Sequence, residues 1–311
     1  MFAHLSPNVL WMLGGLFGLL AIASGVQWWL ARRHPQRDFG ELRARIRSWW
    51  VMVAVFALAI VVSPTVSVVF FGIVSFLALK EYFSIIPTRR ADRRVLFWAY
   101  LAIPLQYYWV HIGWYGMFII FIPVYLFLFL PFRMVLIGET RDFLRAAGTL
   151  HWGVMTLVFS ISHAAMLLQL EGPVLPAGGA GLLLFLVFLT QANDIAQYIW
   201  GKRFGRRHIA PRVSPNKTWE GFAGGVTTTT LLALVLAPWL TPFSTAQAAA
   251  AGLLIGGAGF IGDVTISALK RDIGVKDAGS LLPGHGGVMD RIDSLTFTAP
   301  LFFHLVYYLY F

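Results

Sequence analysis

Long apolar runs recur from one end of the chain to the other, broken by short polar or basic segments. The runs cover approximately residues 9–30, 47–63, 65–83, 95–111, 114–132, 149–170, 180–200, 218–240, 246–269 and 294–311. Stretches of this length and apolarity are read as membrane-spanning helices. The pattern therefore predicts an all-α, polytopic integral membrane protein with about ten transmembrane helices. Ser63-Pro64-Thr65 separates two of them and suits a tight outer turn better than a helix interior. Thr227 to Thr230, Gly224-Gly225 and Gly256-Gly257 lie inside predicted spans and suit close helix–helix packing.

Composition changes the picture in two ways. A soluble chain of 311 residues would suggest about two domains. Here 58% of residues are hydrophobic and 12% charged, with a mean hydropathy of +0.71. Residues 1–311 are accordingly read as a single transmembrane domain. There is no cysteine, so disulfides and thiolate chemistry are excluded.

The formal charge is +10. All 24 Lys and Arg residues fall in five segments, 31–47, 80–94, 133–148, 201–217 and 270–291. These alternate with short loops near Pro64, Gly113, Gly172 and Pro242 that carry no basic residue. The basic excess is thus topological, and no nucleic-acid partner is expected. All five segments face the cytoplasm under this pattern, and both termini lie outside. The basic cluster follows the first apolar run, opposite to a cleavable signal peptide, so that run is read as a retained helix.

Candidate chemistry concentrates in residues 190–311, the half read as catalytic. Asp194 and Asp263 sit inside apolar spans, where an acid costs roughly 2.5–3.5 kcal/mol and usually marks a pathway or site. Both lie at similar depth below the cytoplasmic end of their helices. Asp263, Ser267, Lys270 and Arg271 share a helical face, as do Asp194, Gln197, Tyr198 and Gly201. Asp290, Asp293 and Ser294 share a face at the start of the last helix. The loop Gly284-His285-Gly286-Gly287 permits close backbone approach and can point amides at an anion. Lys270, Arg271, Lys276 and Arg291 around it suit phosphate. Asp263, Asp277 and Asp290 suit Mg²⁺. A second polar island, 201–221, carries six basic residues, including Lys217 beside Ser214. No Walker A pattern occurs, which argues against a P-loop ATPase. These residues point to Mg²⁺-dependent phosphoryl or nucleotidyl transfer to a lipid-borne acceptor at the cytoplasmic face.

Residues 267–293, SALKRDIGVKDAGSLLPGHGGVMDRID, resemble the signature of the phosphatidate cytidylyltransferase (CDP-diacylglycerol synthase) family. The pattern is Ser-x-Leu-Lys-Arg, four residues, Lys-Asp-x-Gly, then Leu-Pro-x-His-Gly-Gly, then Asp-Arg-x-Asp. Every fixed position is met. Residues 193–225 are similar to the family as well, through Asn193-Asp194, Tyr198, Ser214-Pro215, Lys217-Thr218 and Glu220-Gly221. Gln197 and Asn216 depart from its pattern. The resemblance covers the C-terminal 40% or so; the N-terminal half is similar only in being hydrophobic.

What the resemblance implies is conversion of CTP and phosphatidate to CDP-diacylglycerol and pyrophosphate, a step of phospholipid biosynthesis at the inner membrane. It implies Asp263 and Asp290 as metal ligands for Mg²⁺, with Lys270 and Arg271 completing the catalytic set. Lys270, Arg271, Lys276 and Arg291 would hold phosphates. Asp194, Ser214 and Lys217 would line the nucleotide or lipid-phosphate site, and Ser267, Asp277, His285, Gly286 and Gly287 belong to the same substrate-binding motif. A second metal ion and a homodimer stay open. The alternatives are a CTP-dependent, polyprenol-type lipid kinase and a transporter relaying ions through its intramembrane acids. The paired broken helices of a transporter are not seen in the sequence.

Overall fold

A computed structural model describes residues 5–36, 38–284 and 286–311, without the side chain of Arg90. The helices are α1 (Pro7–Arg33), α2 (Gly40–Val62), α3 (Pro64–Ile85), α4 (Arg93–His111), α5 (Tyr115–Val135), α6 (Phe143–Gln169), α7 (Gly178–Phe204), α8 (Trp219–Leu240), α9 (Thr245–Asp272), the short α10 (Met289–Ile292) and α11 (Leu295–Tyr310). The chain is a multi-pass, all-α membrane protein. Among the described residues, eight helices are long and apolar enough to cross a membrane. Helices α4 and α11 occupy the other two predicted spans, at 19 and 16 residues.

The helix ends follow from local chemistry. Ser63 alone links α2 to α3, and its hydroxyl accepts from the Val66 amide at 3.1 Å while Pro64 opens the next helix. Ser244 and Gln247 form a capping box at the start of α9. Helix α5 is interrupted by a π-helical turn over Phe121–Leu126, which contains Pro123. A proline there removes an N–H from the ladder, and the turn widens around the gap. Several helices run past their predicted ends. The basic residues Arg43, Arg45 and Arg47 thereby fall within α2, and α7 and α9 reach Phe204 and Asp272.

One element was absent from the sequence reading. The polar island after α7 folds as an antiparallel hairpin, β1 (His208–Ala210) with β2 (Ser214–Thr218). The sequence SPNKT has little strand propensity. The hairpin is held instead by its ends: the Glu220 carboxylate accepts from the Arg206 and Arg207 amides at 3.0 and 3.3 Å. Thr218 caps α8 through the Gly221 amide at 3.1 Å.

Helix α8 lies between α7 and α9, and its small residues set the distance. A Cβ at Gly225 would come within 2.3 Å of Gln197, and one at Gly256 on α9 within 3.0 Å of Val226. Gly257, predicted to pack in the same way, faces open space. Buried Asn193 ties the three helices together. It donates to the Gly256 carbonyl at 3.2 Å and accepts from Thr229 at 3.2 Å. Its neighbour Asp194 is thereby fixed in direction.

Candidate functional site

The predicted acids in the spans meet. Asp194 on α7 and Asp263 on α9 converge with Asp293, which ends α10 and precedes α11. Gly262 makes this possible: a Cβ there would sit 2.6 Å from the Asp293 carbonyl oxygen, so glycine lets the α10–α11 junction lie against α9 beside Asp263. Ser294 donates to Asp194 Oδ1 at 3.0 Å. The Asp293 carboxyl is held well above the usual range, by burial first and then by the charges of Asp263 and Asp194.

A cation enters this acidic cluster from the hairpin. Lys217 Nζ lies 2.6 Å from Asp263 Oδ2 and donates to Gln197 Oε1 at 3.0 Å. The side chains of Lys217 and Asp263 are 19% and 21% exposed, so the pair is not sealed inside the fold. Ser267 donates to the other oxygen of Asp263 at 3.3 Å. Gln197, one of the two residues that depart from the family pattern, therefore orients Lys217 toward the acids.

The second predicted metal ligand has a different setting. Asp290 is 5% exposed, and Lys270 Nζ lies 2.7 Å from its Oδ1. Its Oδ2 accepts from the Ala278 and Gly287 amides, both at 2.9 Å. Gly286 adopts φ +79°, and a Cβ there would lie 2.6 Å from Asp290 Oδ2. Asp290 thus closes the glycine-rich loop on itself. The amides of Gly287, Val288 and Met289 all turn inward onto carboxylates, so those three do not face an anion.

The other predicted residues are less drawn together. Lys276 and Asp277 are exposed on the loop. Arg271 leaves the Asp263 face, and its Nε donates to the Val213 carbonyl in the hairpin turn at 3.3 Å. Ser214 sits half-buried at the start of β2. Arg291 acts on Asp194 at longer range. Tyr198 points away and is 64% exposed. His285 lies outside the described residues. A cleft of about 650 Å³ between α3, α6 and α9 holds none of the predicted residues; Tyr82, Arg145, Trp152 and Leu269 are among those that line it.

Among the described residues, no three His, Asp or Glu side chains form a ready-made metal cage. Mg²⁺ seldom needs one, since it is usually held by one or two carboxylates with water and substrate phosphates completing its shell. Asp263, with Asp194 and Asp293 beside it, has the donor chemistry for such a role, and the mutual repulsion of three carboxylates favours a cation between them.

Sequence reasoning missed Glu81 on α3. It accepts from the Val288 and Met289 amides, and no local signal joins it to a segment more than 200 residues away. Asp293 was noted only for its helical face.

The fold and site define a multi-pass membrane protein in which Asp194, Asp263 and Asp293 meet Lys217 beside one motif segment. Residues 43–309 match the cytidylyltransferase family, and the chain belongs to it. The match begins well within the N-terminal half, so the kinship extends beyond the C-terminal motifs. The uncharacterized protein YnbB of Escherichia coli is 48% identical over 296 residues, covering 95% of this chain and 97% of that protein. The phosphatidate cytidylyltransferase of Haemophilus influenzae is 40% identical over 143 residues, which is 43% of this chain and 48% of that enzyme. That of Synechocystis is 49% identical over 117 residues, 37% of this chain and 39% of that enzyme. The chain therefore spans less than half the length of the relatives that carry an activity in their name.

Proposed function

We propose that this protein is a CTP:phosphatidate cytidylyltransferase, making CDP-diacylglycerol and pyrophosphate at the cytoplasmic face of the inner membrane. The observation that carries the reading is the meeting of Asp194, Asp263 and Asp293 with Lys217, next to the motif segment whose flanking helices carry Lys270, Asp290 and Arg291. The names of the partial relatives support the choice of phosphatidate.

In this reading a phosphate oxygen of phosphatidate attacks the α-phosphorus of CTP. A new P–O bond forms as the bond to the β-phosphate breaks, and pyrophosphate leaves. The attacking oxygen is already anionic, so no strong general base is needed. Lys217 and Arg291 draw the anionic substrates toward the acids, and Lys276 and Arg271 hold outlying phosphates from the loop and the hairpin turn. Positioning and charge neutralisation supply most of the rate. Mg²⁺, held by Asp263 with Asp194 or Asp293 beside it, would supply the positive charge that lets carboxylates and a triphosphate share the space. Asp290 could join it only if Lys270 released Oδ1.

CTP labelled separately at its α and γ positions tests this with purified protein, phosphatidate and Mg²⁺. The α-label enters lipid and the γ-label enters pyrophosphate, and chelating the metal stops both. The γ-label appearing in lipid would instead identify a kinase, and an unchanged CTP would point to transport. For orientation, the charge pattern places Phe311 outside the cytoplasm. A reporter active only outside should give signal when fused there; signal from a cytoplasm-only reporter overturns that orientation.

A further inference from the structure

The motif loop is shaped by a residue that lies outside the motif. Both carboxylate oxygens of Glu81, near the C-terminal end of α3, are occupied: Oε1 accepts from the Val288 amide at 2.9 Å and Oε2 from the Met289 amide at 2.8 Å. The carboxylate is wedged between two passes of the loop. A Cβ at Gly287 would sit 2.3 Å from Oε2, and one at Gly279 would sit 2.9 Å from Oε1. Two of the motif's glycines therefore make room for this side chain.

Glu81 and Asp290 divide four loop amides between them. Asp290 takes Ala278 and Gly287, and Glu81 takes Val288 and Met289. Hydrogen bonds to a charged acceptor are roughly twice as strong as neutral ones. The amides held by Glu81 immediately precede Asp290 and Arg291, so α3 sets where those two side chains begin. Helix α2 adds a lighter contact at the tip, where the Ser48 hydroxyl donates to the Pro283 carbonyl at 2.7 Å.

We propose that Glu81 is a positioning residue for the nucleotide: through it α3 holds the glycine-rich loop in the shape that presents Lys276 and Arg291 to the phosphates of CTP. This rests on the reading above that the loop serves the nucleotide. It also assigns a task to the N-terminal helices, which supply none of the motif.

Glu81→Gln tests it, since it keeps the size but turns one acceptor oxygen into a donor facing an N–H. Hydrogen exchange in the segment 286–290 should accelerate by about ten-fold or more, with exchange in α5 and α8 unchanged. The KM for CTP should rise by about ten-fold, while the KM for phosphatidate stays within about two-fold. Loss of general integrity would instead raise both KM values and speed exchange throughout. Unchanged exchange at 286–290, or equal changes in both KM values, overturns the proposal. If the wild-type protein transfers nothing to phosphatidate, the functional reading is what fails. CTP affinity by equilibrium dialysis then decides Glu81: weaker binding in Glu81→Gln upholds its role, and equal binding overturns it.

Discussion

Two carboxylates that look alike in the sequence, Asp263 and Asp290, occupy opposite kinds of site. Asp263 is held by one lysine and one hydroxyl, is partly exposed, and shares its space with two further acids. Asp290 is enclosed, and its two oxygens accept from one lysine and two backbone amides. The first arrangement could be remade around a substrate: in the proposed reaction Lys217 would turn from Asp263 to a phosphate if a metal took its place. The second loses buried hydrogen bonds if anything moves. A site for charged substrates needs both: a region whose charges exchange partners, and a rigid frame that fixes where they start.

The largest expected effect would come from the frame. Asp290→Ala leaves Lys270 without its partner in a buried setting and frees two loop amides. Removing one member of a buried pair costs about 3–5 kcal/mol. Thermal unfolding in detergent should show a clear drop in midpoint, with turnover falling alongside it. An unchanged midpoint with turnover abolished would erase the contrast and return Asp290 to the metal.

Asp263→Asn should show the opposite profile. Turnover should fall by at least about 100-fold, the scale of losing a charge-stabilising group. The midpoint should hardly move, because the Lys217–Asp263 pair is partly exposed and such pairs contribute little to stability. A large drop in midpoint with residual turnover would make Asp263 a structural acid.

The smallest effect should come from Ser48→Ala, which removes one hydrogen bond at the tip of the loop. A single bond of this kind is worth about 0.5–1.5 kcal/mol. The KM for CTP should rise by no more than about ten-fold, with little change in kcat. A loss as severe as that of Asp290→Ala would mean that α2, rather than Asp290, carries the frame.

Much of this molecule was readable from its residues. Helix positions followed from apolar length, which the bilayer imposes directly on sequence. The proximity of Asp194 and Asp263 was legible as well, because two acids at matching depth in apolar spans suit one shared polar site, where Lys217 and Ser294 satisfy them. The glycine-rich motif identified its own segment, since its spacing is local. The hairpin was not legible, because its strands are held by Glu220 and Thr218 at their ends rather than by strand propensity.

The sequence by itself therefore determined the membrane-spanning class, the segment that carries the family motif and the two acids that the fold brings together. Only the tertiary structure decided which carboxylate stays available and which is consumed. That choice depends on partners remote in the chain: Lys217 reaches Asp263 from a hairpin 46 positions earlier, and Lys270 reaches Asp290 across the loop. It also decided that Glu81 belongs with a loop more than 200 residues away. Apolarity and helical period are properties of neighbouring residues and can be read along the chain. The satisfaction of a buried charge is a property of whatever folds against it, and no spacing in the sequence records that.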